Sequence, residues 1–139
     1  MIIKSDLVNK TVGRLDIDST AQAIVFTLTD GSFVRWDVDG DCCSGTWFHE
    51  IHGPEVMAGC VVQSVCEIEM PDVYLPDFEP QHEEVVKWYG VEVKTEKGTC
   101  RIVFRNESNG YYGGDVSECS SEKMPSGPWK QVTEDWEWS

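Results

Sequence analysis

A mainly β domain, built as a compact antiparallel sheet, barrel or sandwich of six or seven strands with one or two short helices, is expected on three grounds. Apolar residues recur with period two along most of the chain, as in Ala23–Asp30 and Thr99–Arg105. Turn dipeptides, Asp30-Gly31 and Lys97-Gly98, separate such runs at hairpin spacing. Sustained 3.6-residue periodicity is missing, so helices have little to pack with.

The elements follow from these patterns. Thr11–Asp18 sets Val12, Arg14, Asp16 and Asp18 against Leu15 and Ile17, an opening strand. In the next run Ile24, Phe26 and Leu28 share one face, with Val25, Thr27 and Thr29 on the other. After Asp30-Gly31, Val34, Trp36 and Val38 alternate with Phe33, Arg35, Asp37 and Asp39, which completes a hairpin over residues 23–39. Trp47–Ile51 is expected as a short strand or the start of a short helix, and Pro54–Gly59 as one or two helical turns. Val61–Met70 follows as a strand with Val62, Ser64, Cys66, Ile68 and Met70 on one face. Tyr89–Lys94 and Thr99–Arg105 make a second hairpin, with Cys100, Ile102 and Phe104 on its apolar side.

Three stretches break the alternation. Residues 71–83 combine Pro71, Pro76 and Pro80 with Asp72, Asp77, Glu79 and Glu83, an acidic exposed loop. Ser108-Asn109-Gly110-Tyr111-Tyr112-Gly113-Gly114 demands tight backbone turns around two tyrosines. Residues 120–139 are rich in Ser, Pro and Glu and end in Trp136-Glu137-Trp138-Ser139. The expected organisation is one β-rich domain over 1–119 and an acidic, Trp-rich tail over 120–139.

Charge narrows the function classes. The 139 residues carry 11 Lys and Arg against 25 Asp and Glu, a formal net charge of −14, spread evenly over both halves. Phosphate backbones and anionic membranes are bound by Lys and Arg, so direct nucleic-acid binding and membrane-surface binding are disfavoured. No apolar run approaches the roughly 18–20 residues of a membrane span. Met1-Ile2-Ile3-Lys4-Ser5-Asp6 is unlike a signal peptide, so a cytoplasmic location is expected. An acidic field of this size steers a protein towards a basic groove on another protein. Large aromatics separated by acids serve either to dock the tail back on the sheet or to anchor a partner. The candidate partner-binding residues are Asp72, Asp77, Glu79, Trp129, Glu134, Asp135, Trp136 and Trp138.

The six cysteines lack an export signal and any C-x-x-C pair, so reduced thiols are expected, with Cys66 and Cys100 in the core. Cys42, Cys43, His49 and His52 fall within eleven residues and form the candidate metal or thiol site. As a thiol nucleophile it is weakened by Asp37, Asp39, Asp41 and Glu50, whose charge disfavours a thiolate. Asp37-Val38-Asp39-Gly40-Asp41 offers carboxylates for a hard cation but lacks the spacing of a calcium loop. Phosphate-loop, dinucleotide and nucleophile-elbow motifs do not occur in the chain. No catalytic residue is assigned and no cofactor is expected. Arg101, Arg105, Asn109, Tyr111 and Tyr112 form the candidate pocket for a nucleotide-like anion, the alternative to protein recognition.

Asp39-Gly40-Asp41-Cys42-Cys43-Ser44 after the first hairpin, with Glu107-Ser108-Asn109-Gly110-Tyr111-Tyr112-Gly113-Gly114 after the second, resembles a small uncharacterised domain family of tailed phages and bacteria. The resemblance covers roughly residues 8–118. It implies a phage or prophage source and brings no activity or site residues. The expectation that joins these strands is a non-enzymatic acidic protein, phage-encoded, that inhibits a host defence or nucleic-acid-handling protein by occupying its basic surface. A homodimer is compatible with the sequence.

Overall fold

The computed structural model describes residues 5–40, 45–71, 85–108, 114–123 and 125–138. Among these residues, ten antiparallel strands form the framework. They are β1 (Thr11–Asp18), β2 (Ala23–Leu28), β3 (Phe33–Gly40), β4 (Gly45–His52), β5 (Cys60–Ile68), β6 (Val85–Thr95), β7 (Gly98–Ser108), β8 (Gly114–Ser121), β9 (Trp129–Gln131) and β10 (Trp136–Glu137). A single 3-10 turn at Pro54–Val56 is the only helical element among the described residues. The mainly β fold is therefore as expected. The strand count exceeds the expected six or seven, and Trp47–Ile51 resolves as strand rather than helix.

The strand path is β10-β4-β7-β6-β5-β1-β2-β3-β8, and β9 pairs with β1 off this path. The path does not close into a barrel. It curls so that both halves share one apolar cluster. Ile24, Phe26, Val34 and Trp36 from β2 and β3 meet Phe48, Ile51, Ile102 and Phe104 from β4 and β7 there. Phe26 lies edge-on to Trp36 at 4.7 Å, and Phe48 edge-on to Phe104 at 6.2 Å. Tyr89 stacks on the other ring of that pair, Phe104, at 5.0 Å. One hydrogen bond crosses between the halves where the path curls: Phe48 N–H donates to the Ala21 carbonyl at 2.7 Å.

The first hairpin keeps its expected register, with Ile24 opposite Trp36 and Phe26 opposite Val34. Its turn needs Gly31, whose φ is +90°, and Asp30 fixes it by accepting the Ser32 N–H at 2.8 Å. Trp36 is fully buried, and its indole N–H donates to Glu118 on β8 at 2.6 Å. The same carboxylate accepts Ser5 Oγ at 2.6 Å and the Asp6 N–H at 2.7 Å, which ties the N-terminal segment to β8.

One sequence expectation is overturned. Cys66 is exposed, not a core residue, whereas Cys100 is buried as expected. The pairing of β5 with β6 shifts between Val62 and Ser64, so strict alternation counted from Val62 loses its face. Val65, rather than Cys66, then packs against the core.

The tail carries β9 and β10. Asp18 lies opposite Trp129 on β9, and Ile51 on β4 lies opposite Trp136 on β10. Val132 between them is buried in the common core, and Trp136 and Trp138 pack against it. β9 thus pairs with the Asp16–Asp18 end of β1, past the Thr11–Val12 stretch that pairs with β5, and β10 pairs with Glu50 and Ile51 of β4, so each covers strand edge that would otherwise be exposed among the described residues.

Candidate functional site

Strand β4 brings together three ionisable residues, His49, Glu50 and His52, the first two of them buried. The β4–β7 register runs Phe48 opposite Phe104 and then Glu50 opposite Val103, so His49 is the extra residue of a bulge. Phe48 and Ile51 keep their places in the core. Atoms of His49, Glu50 and Glu137 that are able to hold a metal ion lie within 4.8 Å of one another. His49 is buried, stands edge-on to Trp88 at 5.0 Å, and has Nε2 at 3.9 Å from Glu137.

Arg105 decides what this grouping can do. Its NH1 lies 3.2 Å from His49 Nδ1. A guanidinium only donates, so Nδ1 accepts and the proton of the neutral ring sits on Nε2, towards Glu137. Burial, and then the Arg105 charge, hold the imidazole below its ordinary pKa against the opposing pull of Glu50 and Glu137. A cation on Nε2 would require the opposite tautomer, with Nδ1–H facing the N–H of Arg105. The geometry therefore favours a fixed neutral imidazole over a metal ligand.

The second histidine of the candidate metal set has a different partner. His52 Nε2 is 2.7 Å from Glu50, and its Nδ1 is 3.8 Å from Asp135. Asp135 also accepts the Gly53 N–H at 2.8 Å. Gly53 has φ +72°, and a Cβ there would sit 2.9 Å from the Thr99 carbonyl, so this turn out of β4 requires glycine. Cys42 and Cys43 lie outside the described residues.

The candidate anion pocket fares as follows. Arg101 and Arg105 project from the same side of β7, as their spacing demands. Arg101 faces Glu92 at 3.7 Å and Arg105 faces Glu107 at 3.5 Å. Arg105 also lies over the Trp47 ring at 5.5 Å, and burial lowers its pKa. Asn109, Tyr111 and Tyr112 lie outside the described residues. The remaining two arginines are paired as well, Arg14 with Asp16 at 2.7 Å and Arg35 with Asp37 at 2.9 Å. All four arginines of the chain thus face carboxylates.

Of the partner-binding candidates, Asp72, Asp77 and Glu79 lie outside the described residues. Glu134 and Asp135 are exposed, while Trp129, Trp136 and Trp138 are half-buried. The three tryptophans line one pocket of about 300 Å³. Asp18, Glu137 and Lys130 also line it.

A family profile described as a domain of unknown function, DUF7448, matches residues 5–117. The chain belongs to the DUF7448 family. The DUF7448 segment ends before β9 and β10 begin. No curated protein and no solved structure shows significant similarity to the chain. Among the described residues, no helix is long and apolar enough to cross a membrane.

Sequence reasoning missed the pairings rather than the residue types: Glu50 with His52, Arg105 and Glu137 with His49, and Glu118 with Trp36. The bulge that turns His49 and Glu50 towards Glu137 leaves no mark in the residue pattern. Trp136-Glu137-Trp138 did carry a signal, since its alternation is that of a strand.

Proposed function

We propose that this DUF7448 protein is a non-enzymatic acidic interaction protein that occupies the basic surface of a partner protein. The class of partner that fits is a defence or nucleic-acid-handling protein of a bacterial host, whose own ligand-binding groove must be basic. One observation carries the proposal: every arginine faces a carboxylate of the same chain, so the surplus of acid is left to act outward. Such a field raises the encounter rate with a cationic surface and repels phosphate backbones.

The arginine pairing weighs against the nucleotide-like alternative, because Arg101 and Arg105 would have to leave Glu92 and Glu107 to receive an anion. The Arg105 contact with His49 weighs equally against a metal enzyme built on His49.

The test is affinity purification from a bacterial lysate at low and high salt, with a matched variant carrying Asp72→Asn, Asp77→Asn, Glu79→Gln and Glu134→Gln. A basic protein retained at low salt, released at high salt and lost by the variant is the expected result. No protein retained at either salt, or equal retention by the variant, overturns the proposal.

A further inference from the structure

We infer that the pocket between β1 and the tail is an aromatic cage for an organic ammonium group, supplied by a lysine side chain of the partner. The inference rests on the proposed recognition of a basic protein and names the chemistry at one point of contact. Three tryptophans, Trp129, Trp136 and Trp138, line a single pocket of about 300 Å³. Trp136 and Trp138 are set at 57° with ring centroids 6.5 Å apart, so their faces are inclined rather than stacked flat against each other. An indole face carries a negative quadrupole that attracts a cation, and the carboxylates of the same lining can accept the N–H groups of an ammonium.

Position and charge agree with this. Trp136 and Trp138 are anchored by the β10–β4 pairing and by the Trp138 N–H bond to the His49 carbonyl at 2.8 Å, and Trp129 by the β9–β1 pairing. The indole N–H of Trp129 is taken by the Pro125 carbonyl at 2.9 Å, so that ring offers its face and not a donor. Arg35 already lies over the Trp129 ring at 5.5 Å, which shows one face of this tryptophan accepting a cation within the chain. Asp18 and Glu137 outnumber the one cation of the lining, Lys130, which is exposed. Asp18 accepts the Gln22 and Ala23 N–H groups at 2.8 and 3.0 Å, which hold its carboxylate in place. A neutral apolar side chain would fill the volume but would gain nothing from these carboxylates.

The experiment is a tryptophan-fluorescence titration of the full chain with three capped tripeptides of the form Gly-X-Gly. X is lysine, Nε-trimethyl-lysine or the uncharged norleucine. Saturable quenching by the two cationic peptides, at least tenfold tighter than by norleucine, is expected. Glu137→Gln, at an exposed position, should weaken both cationic peptides several-fold without changing the norleucine response. Equal binding of norleucine would make the pocket a general apolar groove, and no saturation by any peptide would remove the site; either overturns the inference. Both results stand apart from the lysate experiment, because a basic partner captured by a chain whose pocket ignores lysine would contradict the cage alone.

Discussion

The main-chain N–H of Trp138 donates to the carbonyl of His49 across 2.8 Å, so the end of the chain is hydrogen-bonded to the strand that carries the ionisable cluster. Glu137, one residue earlier, faces His49, and Trp136 packs on the core. The tail is therefore part of the sheet although the family match stops at residue 117.

The fold should depend on this tail. Val132→Ala removes two buried methyl groups and is expected to cost about 2 kcal/mol. Deleting residues 129–139 should cost more and should promote association, since it bares the edges of β1 and β4. Urea unfolding and light scattering check both; an unchanged midpoint for the deletion would show that the tail only rests on the surface.

Glu118 should be among the most sensitive polar positions. It receives the Trp36 indole, the Ser5 hydroxyl and the Asp6 N–H. Glu118→Ala leaves a buried indole N–H without its acceptor and is expected to cost about 2–4 kcal/mol, with Glu118→Gln costing roughly half as much. Equal denaturation midpoints for Glu118→Ala and the native chain would contradict the role.

Stability should fall as the solution is acidified below the ordinary histidine value of 6.5, in part because of His49, whose folded-state pKa lies lower. The unfolded chain takes up the proton first, so the contribution of neutral His49 is complete above 6.5 and is lost as the pH falls through the folded-state value. His49→Gln keeps an acceptor for Arg105 and removes the titration. Its melting temperature should therefore vary less than that of the native chain between pH 7.5 and 5. The same slope in both would exclude His49 as a source of the pH dependence.

The described cysteines should separate by reactivity. Burial is the main cause that pushes the Cys100 thiol up to about 12, and Cys60 is buried, whereas Cys66 and Cys119 are exposed. Brief iodoacetamide treatment at pH 8 followed by peptide mapping should label Cys66 and Cys119 and spare Cys60 and Cys100 until urea is added. Labelling of Cys100 in the native chain would contradict its place in the core.

Much of the fold was legible because period-two alternation and turn chemistry are local. Thr11–Asp18 and the hairpin around Asp30-Gly31 form the strands expected of them. Bulges were not legible: the register shift after Val62 exposes Cys66, and the one at His49 builds the histidine–carboxylate cluster. Neither changes the composition of its strand. β8 was hidden for another reason. Gly114–Ser121 contains Val116 as its one branched apolar residue, and its pairing is set by the ladder to β3 and by Glu118 reaching Trp36. The candidate site was legible as a list of residue types but not as partnerships. His49 and His52 do stand close in sequence and on one strand, yet each faces a different carboxylate.

Recognition of a basic protein surface by an acidic one is read from the association rate with the purified partner as ionic strength is raised. Electrostatic steering predicts a steep fall in the association rate between about 20 and 300 mM salt with a much smaller change in dissociation. An association rate that stays constant over that range would rule out electrostatic recognition of a basic surface, whatever the affinity.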